Sequence, residues 1–208
     1  MKDIIFLGNG YYNHIDKNKE IWVCNDWYTY HDVRPSRIYQ VHTLNIGEFK
    51  ESPYRFKEWK KRYQEANVEI VCLMDLGFEK QRITKPDVER YGLEFYSSSY
   101  AYMAQDAIDE KVRSVDFYGI TMEFQNEFLY QVPGILKNID AMRKAGIKVS
   151  AMCEPYWRKK LPTVDWSTVH SCKVPYGSEG FSTGVKDACY NPNNKMDCPE
   201  IKIVVNNG

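Results

Sequence analysis

Short apolar segments alternate with segments of helical period over the first 150 residues of this 208-residue chain. The apolar segments are almost continuously hydrophobic, which is typical of strands covered on both faces. They are residues 4–7, 21–24, 38–41, 68–73, 115–118 and 147–152. Strands that alternate with helices are joined by right-handed crossovers into a mainly parallel sheet. We therefore expect an α/β fold, a Rossmann-like three-layer domain.

Three of the intervening segments predict helices. The first begins after Ser52, a suitable N-cap, and ends near Asn67. The second begins near Ser98, and its alanines allow close approach to a sheet. The third follows Pro133 and ends at Gly146, because proline suits a first helical turn and glycine a C-terminal cap. The helices would cover the sheet.

Two segments fall outside this alternation. Residues 77–90 are charged and contain a Lys-Pro pair, which indicates a loop or a lid. Residues 153–208 are rich in Pro, Gly, Asn and Ser but carry scattered aromatic side chains. We expect this part to be an irregular extension that packs on the domain formed by residues 1–152.

Bulk properties restrict the possible partners. The formal net charge is zero, so nothing draws the whole chain to nucleic acid or to an anionic membrane. No apolar stretch approaches the roughly 20 residues that a membrane span needs, and we expect a cytoplasmic protein. The six cysteines show no CxxC spacing, so we expect reduced thiols and no metal site. The oligomeric state stays open, a homo-oligomer included.

Small and hydrogen-bonding residues follow several of the predicted strands. In parallel sheets, ligands bind beyond the carboxyl ends of the strands, near the point where the strand order reverses. Glycine lets a backbone approach a phosphate or base, asparagine suits ribose and base edges, and serines that open a helix favour an anion. The residues predicted to bind a nucleotide are Gly8, Asn9, Gly10, Asn25, Asp26, Ser97, Ser98, Ser99, Gly119, Ile120 and Thr121.

The glycines do not form a known phosphate fingerprint. Neither GxGxxG nor a Walker lysine is present, which disfavours an ordinary NAD enzyme or a P-loop kinase.

The four histidines are the candidate general bases. His42 ends the third predicted strand and points at the same edge, whereas His14 lies in the first loop. His170 lies in the extension, from which it could fold over the cleft and deprotonate an acceptor hydroxyl. His31 sits among turn residues, and we expect it at the surface.

Two stretches of the chain resemble a known family. The first is Ile-Ile-Phe-Leu-Gly-Asn-Gly, followed after a short loop by Ile-Trp-Val-Cys-Asn-Asp. The second is a serine group with an alanine-rich helix (97–104), continued by the strand and Gly-Ile of 115–120. Over residues 3–152 the chain resembles small bacterial CMP-dependent sialyltransferases. It is also similar to the related motility-accessory-factor and 6-hydroxymethylpterin-pyrophosphokinase-like domains, which have short relatives in phage genomes.

The resemblance implies roles for particular residues. Asn9 and Asn25 would contact the nucleotide, and Ser98 or Ser99 would bind near its phosphate or base. Gly119 and Ile120 would border the pocket, and His170 would be the base of the C-terminal part. Two positions depart from the family pattern. Gly-Asn-Gly is followed here by Tyr-Tyr instead of Pro-Ser, and Thr121 replaces an aspartate.

Three hypotheses about function follow. The first is a metal-free, nucleotide-dependent transferase, a glycosyltransferase with a CMP-sugar-like donor and with His170 or His42 as base. The second is pyrophosphoryl transfer to a pterin-type alcohol, which normally needs Mg²⁺ held by carboxylates such as Asp26, Asp75 and Asp116. The third is a non-catalytic protein that binds or sequesters a nucleotide, since the family's aspartate is Thr121.

Overall fold

The computed structural model describes residues 1–10, 14–25, 27–41, 53–122 and 127–160. Within these ranges seven parallel strands form one sheet with the order β5-β4-β3-β2-β1-β6-β7. The strands are β1 Asp3–Leu7, β2 Glu20–Cys24, β3 Arg37–Gln40, β4 Glu69–Cys72, β5 Gln81–Ile83, β6 Ser114–Tyr118 and β7 Lys148–Ala151. The helices are α1 Trp27–Tyr30, α2 Pro53–Ala66, α3 Val88–Tyr91, α4 Ser99–Asp109, α5 Glu127–Lys144 and α6 Glu154–Lys160. A 3₁₀ helix, Leu93–Tyr96, precedes α4.

Helices cover the sheet on two faces because successive residues of each strand point to opposite sides. On the front face, Ile4 and Phe6 of β1 pack in one core with α4 and α5. On the back face, Ile5 and Leu7 pack in a second core with Trp27 of α1 and Trp59 of α2. Burial on both sides explains why these strands are almost continuously apolar.

A row of aromatic rings joins four strands on the front face. Phe6 lies between Phe117 of β6 and Trp22 of β2, with ring centroids 5.2 Å and 5.7 Å away. Tyr39 of β3 continues the row at 5.6 Å from Trp22. Such pairs contribute about 0.5–1.5 kcal/mol each beyond their burial. The row fixes how β6, β1, β2 and β3 lie side by side. It thereby positions the carboxyl ends of these four strands relative to one another.

The predicted α/β fold is confirmed, and each of the six predicted strands lies within one residue of an observed strand at both ends. The helix ends at Asn67 and Gly146 are confirmed too, because both residues take the left-handed backbone conformation just past a helix. Helix α4 begins where predicted, with Ser98 at the N-cap position. Ser52 lies outside the described residues.

Three expectations differ from the structure. Residues 77–90 are not a loop or lid, because they contain the edge strand β5 and the short helix α3. The third helix begins at Glu127, so Pro133 lies inside α5 and not in its first turn. The segment expected to be irregular opens with α6, whose Trp157 is fully buried in the front core. Residues 161–208 lie outside the described residues.

Within the described ranges no disulfide bond joins the cysteines. Cys24 and Cys72 are buried, and Cys153 is half-buried. Burial raises the pKa of the Cys72 thiol to about 12. No helix in the described ranges has both the length and the apolar character needed to cross a membrane.

Candidate functional site

The strand order reverses between β1 and β6. The chain adds β2 to β5 on one side of β1, then returns along α4 to place β6 and β7 on the other side. Open α/β sheets bind ligands at this kind of position, outside the carboxyl ends of the two strands. Gly8 follows β1 and Gly119 follows β6, so both lie at the reversal point.

Three glycines bring the two loops into direct backbone contact at this point. Gly8 N–H donates to the Tyr118 carbonyl oxygen at 2.8 Å, and Gly10 N–H donates to the Gly119 carbonyl oxygen at 2.7 Å. A Cβ on Gly8 would lie 2.5 Å from the Gly119 carbonyl oxygen, and a Cβ on Gly10 would lie 2.8 Å from it. Gly119 has φ +63°, which disfavours any side chain. We call Gly8, Gly10 and Gly119 the glycine crossing.

Asparagine side chains lie on both sides of β1 at this edge. Asn9 is exposed between the two glycines of its loop, and no hydrogen bond engages it among the described residues. Asn25 directly follows β2 with φ 51°, and the Tyr63 hydroxyl of α2 donates to its carbonyl oxygen at 2.8 Å. The side-chain oxygen of Asn25 is buried and has no hydrogen-bond partner in the described structure.

The three serines differ in their surroundings although they are adjacent. Ser97 donates its hydroxyl to the Gln131 carbonyl oxygen of α5 at 3.0 Å. Ser98 is 1% exposed, and its hydroxyl oxygen makes neither a capping bond nor any other hydrogen bond within the described ranges. Ser99 begins α4. An unpaired buried hydroxyl costs about 1–3 kcal/mol, so Ser98 is the serine whose burial needs an explanation.

A side chain from the first turn of α4 reaches the glycine crossing. A Cβ on Gly8 would lie 2.6 Å from the Tyr100 hydroxyl oxygen. The N-terminus of this 11-residue helix carries a partial positive charge that favours an anion. Ser98 is therefore placed where a phosphate group would gain from the helix.

The loop after β6 is fixed from the other side by α6. Ile120 is buried in the front core, and Trp157 Nε1 donates to the Thr121 carbonyl oxygen at 3.3 Å. This contact ties residues 119–121 to α6. The segment borders the reversal point through backbone atoms. This contact therefore does not depend on which side chain is present at position 121.

One histidine is placed differently from the expectation. His31 is half-buried, and its Nε2 lies 2.7 Å from the Gly8 carbonyl oxygen, so the sequence-based interpretation of a surface residue is wrong. Its position shortly after β2 was the available signal. His14 is exposed. His42, His170 and Asp26, which the sequence also put forward, lie outside the described residues.

Asp75 and Asp116, the candidate carboxylates within the described residues, have separate partners. Asp116 pairs with Lys19 at 2.5 Å, and this hydrogen bond raises the lysine pKa. Asp75 accepts hydrogen bonds from Gly77 N–H and from Gln81. Four strand spacings, about 19 Å, separate β4, which Asp75 follows, from β6, which carries Asp116. Within the described ranges no cluster of metal-ligating side chains is present.

A cavity of about 440 Å³ lies away from the reversal point. It opens beside α1 and the end of α2, with Trp27, Arg34 and Arg62 among its lining residues. None of the predicted nucleotide-binding residues lines this cavity, whereas His31 does. The imidazole therefore stands between the cavity and the glycine crossing.

Comparison with known proteins supports the fold. No protein-family model and no curated protein matches the sequence. Among solved structures, the fold is similar to that of the sialyltransferase CstII from Campylobacter jejuni in complex with a substrate analogue, cytidine-5′-monophosphate. The TM-score is 0.50 at 18% sequence identity, and the match covers 74% of this chain and 80% of CstII. The chain therefore has a sialyltransferase-like α/β fold.

Proposed function

We propose that this protein is a nucleotide-dependent transferase, a glycosyltransferase that uses a CMP-sugar-like donor without a metal ion. The observation that carries the proposal is the unpaired Ser98 hydroxyl at the start of α4, a helix whose Tyr100 side chain contacts Gly8. A buried polar group without a partner is costly, and functional sites are where proteins keep such groups. The CMP bound to a protein of similar fold supports the choice of nucleotide.

In this proposal each part of the edge has its own task. The glycines let the backbone come close to the nucleotide, and Asn9 and Asn25 contact its sugar or base. Ser98, Ser99 and the first amides of α4 hold the phosphate, where the helix dipole adds about 0.3–1 kcal/mol. Gly119, Ile120 and Thr121 border the pocket on the β6 side.

The reaction needs a base for the acceptor. His170 or His42 removes the proton of the acceptor hydroxyl, and the freed oxygen forms a bond to the anomeric carbon of the sugar. The bond between that carbon and the phosphate oxygen breaks, and CMP leaves with the electron pair. Donors at Ser98 and α4 stabilise the negative charge that develops on the leaving phosphate.

A calorimetric titration and a thermal-shift assay of the full chain test this proposal with CMP, CDP and ATP. We expect CMP and CDP to raise the melting temperature in a concentration-dependent way and ATP to leave it unchanged, because a ligand stabilises the state that it binds. The absence of binding by any cytidine nucleotide would contradict the proposal.

The same edge could serve a protein that binds a nucleotide without turnover, and Thr121 in place of the family's aspartate favours this second candidate. The two functions differ in a release assay. A transferase liberates CMP from a CMP-sugar and does so faster when its acceptor is supplied, whereas a sequestering protein binds CMP tightly and liberates none.

A further inference from the structure

The contact between His31 and Gly8 fixes the loop that follows β1. A carbonyl oxygen only accepts, so His31 Nε2 must carry a hydrogen and donate it over the 2.7 Å to the Gly8 oxygen. The backbone N–H of His31 donates to the Trp27 carbonyl oxygen at 2.9 Å, and Trp27 is buried in the back core. The imidazole therefore reaches Gly8 from a fixed position on the back face.

This hydrogen bond also orients the next amide. The described residues contain no cis peptide bond, and in a trans peptide the C=O and N–H groups point in opposite directions. Since the Gly8 carbonyl oxygen points to the His31 ring, the Asn9 N–H points away from that ring. The Gly8 and Gly10 amides already donate to β6-side carbonyl oxygens, so the Asn9 amide is the one left for another partner.

The front face is the side on which α4 begins. Its residues belong to the front core, and Ser98 stands at its N-terminus with an unpaired, buried hydroxyl. The Asn9 N–H, which points away from His31 and the back core, can then join the Ser98 hydroxyl and the first amides of α4 around one ligand. Together they are a set of donors suited to an anion.

We propose that His31 is a positioning residue of the nucleotide site: its Nε2–H bond to Gly8 turns the Asn9 amide toward the phosphate held at the start of α4. This inference rests on the proposed function. His31 touches no ligand in this scheme.

The test compares three variants of the full chain. His31→Leu removes the donor, whereas His31→Gln keeps an N–H donor at a similar reach. Arg34→Leu is the matched control, since it places the same side chain on the same cavity and Arg34 makes no hydrogen bond or ion pair in the described structure. CMP affinity is measured by calorimetry, and hydrogen exchange of the Asn9 and Gly10 amides is followed by NMR without ligand.

We expect His31→Leu to weaken CMP binding about tenfold, and His31→Gln and Arg34→Leu to stay within about twofold of the wild type. The Asn9 and Gly10 amides should exchange faster in His31→Leu alone. Unchanged affinity in His31→Leu, or equal losses in His31→Leu and His31→Gln, would overturn the inference.

The two proposals fail separately. If the wild type does not bind CMP, the proposed function is wrong, and hydrogen exchange decides about His31. Faster exchange in His31→Leu alone then sustains the positioning role for the loop, and equal exchange in all four proteins refutes it.

Discussion

Ser97 and Ser98 are neighbours in the chain but stand in opposite energetic situations. The Ser97 hydroxyl has a partner in the Gln131 carbonyl oxygen, so it stabilises the contact between the 3₁₀ helix and α5. The Ser98 hydroxyl is buried without a partner in the described structure, so it costs stability. A residue that costs stability at the proposed ligand-binding edge is expected to contribute to binding.

The paired substitutions Ser98→Ala and Ser97→Ala separate these roles. Ser98→Ala should leave the free energy of unfolding unchanged or raise it, because it removes an unpaired hydroxyl, and it should weaken CMP binding about tenfold. Ser97→Ala should lower the free energy of unfolding by about 1 kcal/mol and keep the affinity. Urea unfolding and calorimetry measure both quantities. Loss of stability without loss of affinity in Ser98→Ala would contradict the phosphate role of this hydroxyl.

Residues that directly follow strands could be predicted from the sequence, and the contacts of their side chains could not. Asn9, Asn25 and Ser98 come just after a strand or just before a helix, so the parallel sheet places them at one edge. The partner of Ser97 lies 34 residues later in the chain, and no local pattern indicates such a contact. His31 escaped prediction for the same reason, because Gly8 precedes it by 23 residues.

Strand β5 shows why an edge strand is harder to predict than a central one. Gln81-Arg82-Ile83 lacks an apolar run, since one side of an edge strand has no neighbour and needs less hydrophobic burial. Charge holds the strand instead: Arg82 contacts Asp106 of α4 at 2.5 Å and Glu69 of β4 at 3.2 Å. The charged residues that led to the prediction of a loop are therefore the residues that hold β5 against β4 and α4.

Helix α5 begins earlier than the proline indicated. Pro133 would suit a first turn, but the helix extends back to Glu127 and packs along the 3₁₀ helix. Gly134 makes this contact possible, because a Cβ there would overlap the Ser97 hydroxyl and the Glu94 carbonyl oxygen. Packing between elements thus outweighs the local preference of proline for a helix start.

Helix α6 is tied to α5 by one buried carboxylate, which makes stability depend on pH. The hydrogen bonds from Arg143 to Glu154 lower the carboxyl pKa below its ordinary value of 4.5, and Arg158 adds to the effect. Because the fold favours the ionised form, this stabilisation is present above about pH 4.5 and is lost as the pH falls through the lower folded-state pKa.

Glu154→Gln should lower the free energy of unfolding by about 2 kcal/mol at pH 7, because a hydrogen-bonded charge is lost. The difference from the wild type should shrink as the pH falls below about 4.5. Urea unfolding across a pH series measures this. Glu79→Gln is the control, since Glu79 is exposed and makes no ion pair in the described ranges. A difference that stays constant down to pH 2 would contradict the linkage.

The order of the seven strands determines which side chains can act together. It brings the ends of β1, β2 and β6 to one place and sets β4, which Asp75 follows, about 19 Å from β6, which carries Asp116. Two carboxylates at that separation cannot share a Mg²⁺ ion, whose oxygen ligands stand about 2.1 Å from the metal. The sheet therefore favours nucleotide binding that does not depend on these carboxylates.

Chelation tests this consequence of the strand order. CMP affinity in EDTA should stay within about twofold of the affinity in Mg²⁺, because the proposed phosphate donors are hydroxyl and amide groups. Calorimetric titrations in the two buffers provide the measurement, with Asp116→Asn as a further variant. A tenfold or larger loss of affinity in EDTA would instead support the metal-dependent pyrophosphoryl transfer.

The glycine crossing restricts how this chain can diversify. Each of Gly8, Gly10 and Gly119 excludes a side chain because of backbone atoms from the opposite loop, so no single replacement at one position makes room at another. All three positions must therefore remain glycine together, also in a related protein that has evolved to bind a different ligand. Asn9 stands between two of these glycines and remains exposed. We therefore expect a change of ligand specificity to be tolerated most easily at Asn9, because the glycines on either side of it cannot be replaced.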